Sequence, residues 1–189
     1  MSPKLRVRNG AVVFIVAIAL AYSLYPHWVT FSHFATHWYT LIPFVVAIGT
    51  CVALLALTGH ELRQHKPLRS SGNIFIASAV SASLIVCIPY MGSGAQKAIH
   101  NTIVLMFVLL GALGVALIAK HLKHVLLGVI SATMIAICIL ELVLLARFNA
   151  HPVDAWVWTI LQLILTPLLI YALYVIAGTL EQKRIAKDS

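Results

Sequence analysis

The sequence predicts an all-α fold: a polytopic membrane helix bundle of six transmembrane helices, with both termini on the cytoplasmic side (N-in/C-in). Three observations predict it. Of the 189 residues, 61% are hydrophobic and only 10% charged, and mean hydropathy is +0.99. A soluble domain carries roughly a quarter charged residues because its surface faces water; here there are too few charges to cover a globule. Six apolar stretches reach the length of about 20 residues that a helix needs to cross a bilayer. The lysines and arginines between them alternate by side, eleven against two, and this loop bias sets orientation.

The first stretch, about 11–29, follows Lys4, Arg6 and Arg8. With Ala19-Leu20-Ala21 it imitates a cleavable signal peptide. The apolar run continues toward Val29, so it reads as a transmembrane helix. The second, 38–58, opens on Trp38 and is followed by Arg63, Lys66 and Arg69. The third, 74–91, contains Ala77-Ser78-Ala79-Val80-Ser81-Ala82-Ser83. Small residues four apart allow close helix approach, which places this helix at the bundle centre or at an oligomer contact.

The fourth stretch, 98–119, follows Lys97 and opens with His100 and Asn101. The turn 120–124, with Lys120 and Lys123, forces a tight hairpin with the fifth stretch, 125–147, which ends on Arg147. The sixth, 155–179, carries Trp156, Trp158, Gln162 and Pro167 and runs out into Lys183, Arg184 and Lys187. Trp28, Trp38, Trp156 and Trp158 all fall at predicted outer ends, where an indole favours the interface. No stretch alternates as a membrane strand would. Loops are short, so the chain reads as a single transmembrane domain over residues 1–189.

Net charge of +8 comes from clusters between apolar runs, without the aromatic-interleaved basic face of a nucleic-acid binder. No nucleic acid is expected; the partners expected are the lipid bilayer and other membrane subunits or further copies of the chain. Cys51, Cys87 and Cys138 lie inside hydrophobic segments, an odd and scattered set that reads as packing rather than a disulfide framework.

Glu141 is the most informative residue. It lies in the fifth helix about 10 Å below the outer end, where an ionisable group costs about 2.5 kcal/mol or more and faces a bundle interior or wet cavity. Arg147, six residues on, turns off that face. Gln162 sits at similar depth, and Pro167 after it leaves a carbonyl free. With His100, Asn101 and Tyr22 these residues predict an outward-opening polar pocket; a hydrogen-bonded cluster gluing the helices is the equal alternative.

Five of nine histidines fall on the outer side: His27, His33, His37, His100 and His151. Were the chain helical before the second span, His33 and His37 would share a face and suit a metal, with His27 or His100 completing the site. His37 with His60 and His100 with His121 resemble the paired ligands of di-haem membrane cytochromes. Their separations, 23 and 21 residues, span more than about 30 Å of helix and put every imidazole at an interface. The sequence names no cofactor.

His60-Glu61-Leu62-Arg63-Gln64-His65 is one residue too long for the zinc-protease His-Glu-x-x-His, so its imidazoles diverge by about 140°. Gly92-Ser93-Gly94 lacks the order of an intramembrane serine-protease loop. His121 and His124, with Lys120 and Lys123, suit anionic headgroups.

Tyr25-Pro26 in the first outer loop and Ile99-His100-Asn101 opening the fourth helix give a layout similar to bacterial six-helix membrane proteins classed only as domains of unknown function. That resemblance implies a shared fold and no activity; the localisation expected for the chain is a prokaryotic plasma or inner membrane. Three function classes remain. They are a small transporter or channel-like protein around Glu141, a non-catalytic membrane subunit or assembly factor, and a histidine-based metal or haem redox protein. The balance leans away from an enzyme.

Overall fold

A computed structural model describes residues 2–26, 34, 37–88, 94–147 and 155–188, without the side chains of 94, 97, 145–147, 155–159 and 183–188. The described residues form six α-helices and no strand: α1 Pro3–Leu24, α2 Trp38–Arg63, α3 Arg69–Cys87, α4 Gly94–Leu122, α5 Val125–Arg147 and α6 Ala155–Asp188. All six contain stretches long and apolar enough to cross a membrane.

α2, α4 and α6 outrun the apolar stretches from which they are predicted, α5 matches its stretch, and α1 and α3 start and stop earlier than theirs, because local capping, not hydropathy, fixes where a helix stops. α1 begins at Pro3 rather than near residue 11. Ser2 caps it by accepting the Leu5 amide at 3.3 Å, and Pro3 occupies a first-turn position where its missing N–H costs nothing. α1 ends before Pro26: Tyr25 takes φ −138°, ψ 83°, outside the helical region that a following proline disfavours. Ile88, before Pro89, ends α3 in the same way at φ −121°, ψ 84°.

α4 closes differently. Lys123 adopts a left-handed φ of 51°, and the His124 N–H reaches back to the Ala119 carbonyl at 3.0 Å, the Schellman ending that glycine usually serves. The His124 carbonyl then accepts from Gly128 at 3.1 Å, so α5 starts at once.

Consecutive helices pack side by side and α6 closes the ring against α1. α6 also touches α2 and α4, whereas α3 packs mainly on α2, α4 and the turn before it. The small-residue face of α3 is shared between those two neighbours. Ser78, Ala79, Ser81 and Ala82 are buried, while Ala77 and Ser83 are exposed. The buried half lets its neighbours come close. Ser78 Oγ donates to the Phe107 carbonyl of α4 at 2.8 Å. At the foot of the α2–α3 pair, Gly59 and Gly72 face each other with no room for a side chain.

Helix ends sort into two groups. The Arg6 guanidinium pairs with Glu61 at 2.5 Å, and the Lys4 ammonium stands 5.0 Å from the Tyr174 ring centre. The start of α1, the end of α2 and the later part of α6 thus share one end, and both chain termini belong to it. The short 3-10 turn Lys66–Leu68 packs on α2, α3 and α4, which puts the α4–α5 turn there too. Lys4, Arg6, Arg8, Arg63, Lys66, Arg69, Lys120 and Lys123 all gather at this end.

The inside is apolar, from Phe44, Leu55 and Phe75 to Met134, Leu173 and Ile176. So is much of the outside: Ile42 is 72% exposed, Ile15 63%, Val129 58% and Ile139 56%. Large exposed apolar surfaces are uncommon on soluble monomers and mark protein–protein or membrane contact. Cys51 and Cys138 are buried as expected, but Cys87 at the end of α3 is exposed; none is in a disulfide.

Candidate functional site

Glu141 belongs to the packed face of α5. Leu127, Ile130, Met134 and Cys138 are all buried, spaced three and four apart so that they form one stripe. Glu141 is the next position on that stripe and is itself only 6% exposed. A carboxylate therefore stands where the pattern calls for another leucine. Among the described residues nothing donates a hydrogen bond to it, and the one ion pair is that of Arg6 with Glu61. The side chain of Arg147 lies outside the described residues.

The helices on either side of α5 are α4 and α6. On α6 the buried stripe runs through Leu161, Leu165, Leu169, Leu173 and Ile176. Gln162 flanks it, half-buried, and its backbone carbonyl accepts from Thr166 Oγ1 at 3.0 Å. Glu141 and Gln162 each lie about 10 Å inside their own helix ends, on helices that pack together. Pro167 is in α6; lacking an N–H, it leaves the carbonyl four residues earlier, that of Leu163, without its helical bond.

His100 departs from its expected role. It is 1% exposed, with Nδ1 2.5 Å from the Ile88 carbonyl. A carbonyl only accepts, so Nδ1 carries the hydrogen and donates. Ile88 ends α3, where carbonyls lack helical partners; His100 satisfies one and ties α3 to α4. Measured along the hairpin from Lys123 and His124, Glu141 lies about 26 Å up α5 and His100 about 35 Å up α4. The two are not level, and His100 belongs to the rim rather than the floor of any site around Glu141. Asn101 beside it is half-buried.

Tyr22 stands near the end of α1, edge-on to Phe34 with ring centres 4.8 Å apart. α1 packs on α2 and α6, and α6 on α5, so Tyr22 approaches Glu141 only across α6. It joins an aromatic group instead. Tyr25 stacks on His37 at 4.7 Å, and Trp38 meets Tyr39 edge-on at 5.7 Å.

For the histidine site, His27 and His33 lie outside the described residues, as does His151. His37 is the N-cap of α2 with extended backbone, φ −121°, ψ 128°; the helix on which His33 and His37 would share a face does not reach His37. Among the described residues no group of three or more His, Cys, Asp or Glu could hold a metal ion. Ser93 is also outside the described residues. His65 falls beyond the end of α2, so it and His60 do not share one helix.

Several organising contacts gave little signal in the sequence. The Arg6–Glu61 pair was foreshadowed only by Glu61 being a lone carboxylate among cations. The Gly59–Gly72 approach and the Ser78–Phe107 bond join residues of different helices, and a single-chain pattern does not encode which helices meet. Comparisons with protein-family models, curated proteins and solved structures return no match for this chain.

Proposed function

We propose that this chain is a multi-pass membrane protein of a prokaryotic plasma or inner membrane, with both termini inside, that binds and passes a small cationic or neutral solute, or a proton, at Glu141. One observation carries the reading: a carboxylate occupies a buried, core-facing position on α5 without a hydrogen-bond or ion-pair partner among the described residues. An ionisable group at such a position is expensive and is retained where it serves a pathway. Gln162 would supply a second polar group at the same depth, with Asn101 toward the outer rim beside the His100 anchor.

Membrane placement is supported by the six long apolar helices, by their exposed apolar flanks and by the cations gathered at one end. Lys/Arg-rich ends face the cytoplasm, and both termini belong to the cationic end.

The alternative of a non-catalytic subunit or assembly factor rests on the short loops, which leave no soluble domain, and on the small residues of α3. Their buried half is consumed by α2 and α4 within the chain, which leaves less for a partner.

Binding is tested on the purified full chain by thermal unfolding with sodium, potassium, tetramethylammonium and choline. A solute that binds the folded state raises Tm with concentration. The wild type responds to at least one, and Glu141→Gln loses that response. Equal responses from both proteins would remove Glu141 from the site.

A further inference from the structure

We propose that the α2–α3 connection and the α4–α5 turn together form a binding site for an anionic phospholipid. Its phosphate would lie against Lys66, Arg69, Lys120 and Lys123, and its acyl chains along the apolar flank that starts at Val125. The inference rests on the bilayer placement above but not on any role of Glu141.

The two segments are one surface. Leu68 is 3% exposed and anchors the 3-10 turn Lys66–Leu68, which packs against α4 as well as α2 and α3. The cations of the turn and those at the end of α4 thus share one rim, and all four side chains are exposed.

Among the described residues no carboxylate is paired with that rim. From residue 62 to residue 140 the sequence contains no Asp or Glu, and Glu61 is engaged by Arg6. Among the described residues none of the four cations forms an ion pair. Like charges gathered this way raise the local potential and draw anions.

Lys123 adds an independent indication. Its left-handed backbone costs a residue with a Cβ roughly 1 kcal/mol or more, and glycine or asparagine is the usual occupant of such a helix ending. A cation is kept at a position whose backbone favours glycine.

Val125 and Leu126 decide the kind of anion. They follow the turn directly and are 81% and 43% exposed, with Val129 at 58% one turn on. A free phosphate or an acidic peptide would cover the cations and leave this flank bare. An amphipathic anion covers both, as basic pockets between membrane helices do with lipid headgroups.

The test uses the full chain in mild detergent, with phosphatidylglycerol, phosphatidylcholine or inorganic phosphate added and the retained molecules counted by native mass spectrometry. Phosphatidylglycerol should be retained at least about tenfold over phosphatidylcholine, with about a fivefold loss for each cation removed. The variant K66Q/R69Q/K120Q/K123Q should lose the preference while Glu141→Gln keeps it. K120R/K123R should also keep it, and Val125→Ser should weaken lipid retention alone. Thermal unfolding of each variant identifies any that has failed to fold, and the arginine variant then decides. Equal retention of the two lipids, or displacement of phosphatidylglycerol by equimolar inorganic phosphate, overturns the proposal. A chain that stays in solution without detergent overturns the bilayer placement and the lipid site together. A chain that enters bilayers without lipid preference overturns the lipid site alone.

Discussion

A Cβ built on Gly72 would sit 2.5 Å from the backbone carbonyl oxygen of Gly59, and one on Gly59 would sit 2.8 Å from that of Gly72. The α2–α3 pair therefore touches backbone to backbone, where lipid gives no hydrophobic drive and close packing holds helices together. Gly72→Ala should destabilise the chain by about 2 kcal/mol, since backbone cannot move aside as a side chain does. Gly128 has nothing within 4 Å of its own Cβ position, so Gly128→Ala should leave stability within about 1 kcal/mol or raise it. Thermal unfolding of the two variants compares them; equal effects would contradict the close approach.

Arg6 and Glu61 close the cationic end of the ring between α1 and α2, with side chains 21% and 26% exposed. A double-mutant cycle through Arg6→Ala and Glu61→Ala should give a coupling of about 1 kcal/mol. The coupling should shrink as salt is added, because the pair is in partial contact with solvent. Exchanging the two as Arg6→Glu with Glu61→Arg should recover much of what either reversal loses. Unfolding midpoints at two ionic strengths read both effects.

Lys123→Gly should raise stability by about 1 kcal/mol, by relieving the left-handed strain. The same substitution should lower the retention of phosphatidylglycerol, so stability and lipid affinity move in opposite directions. A variant that loses stability would show that the turn is not strained at Lys123.

Much of the fold was legible in the sequence, for a physical reason. Composition with so few charges and six long apolar runs calls for six helices long and apolar enough to cross a membrane, and six such helices are what the fold contains. Helix ends were less legible. Ser2 and Pro3 start α1 well before the apolar run, and Tyr25 and Ile88 stop their helices because proline follows. Glu141 was visible as an ionisable residue deep in an apolar run. The level of His100 was not, because it depends on how α4 and α5 align across the turn. The partners of α3 were likewise hidden: small residues permit close packing without naming the helices, here α2 and α4, that come close.

His100 should prove an anchor rather than a ligand. His100→Ala removes the donor to the Ile88 carbonyl and should cost about 1–2 kcal/mol, while solute-induced stabilisation at Glu141 persists. Titrating the variant with whichever cation stabilises the wild type checks this; loss of the response with unchanged stability would return His100 to the binding site.

Glu141 should show the reverse pattern. Glu141→Leu continues the α5 stripe and removes a carboxylate from an apolar setting, so it should raise stability by about 2 kcal/mol as binding disappears. A site kept for function at the expense of stability behaves this way. If Glu141 instead glued the helices together, the leucine variant would unfold more readily.

The most direct measurement is flux through the purified chain in sealed vesicles, with an entrapped pH-sensitive dye for protons and isotopic tracers for sodium and choline. Wild-type vesicles should pass at least one of these faster than protein-free vesicles, and Glu141→Gln should reduce that flux at least about tenfold, in keeping with the loss of a pathway carboxylate. Identical flux in wild type and Glu141→Gln would contradict the account.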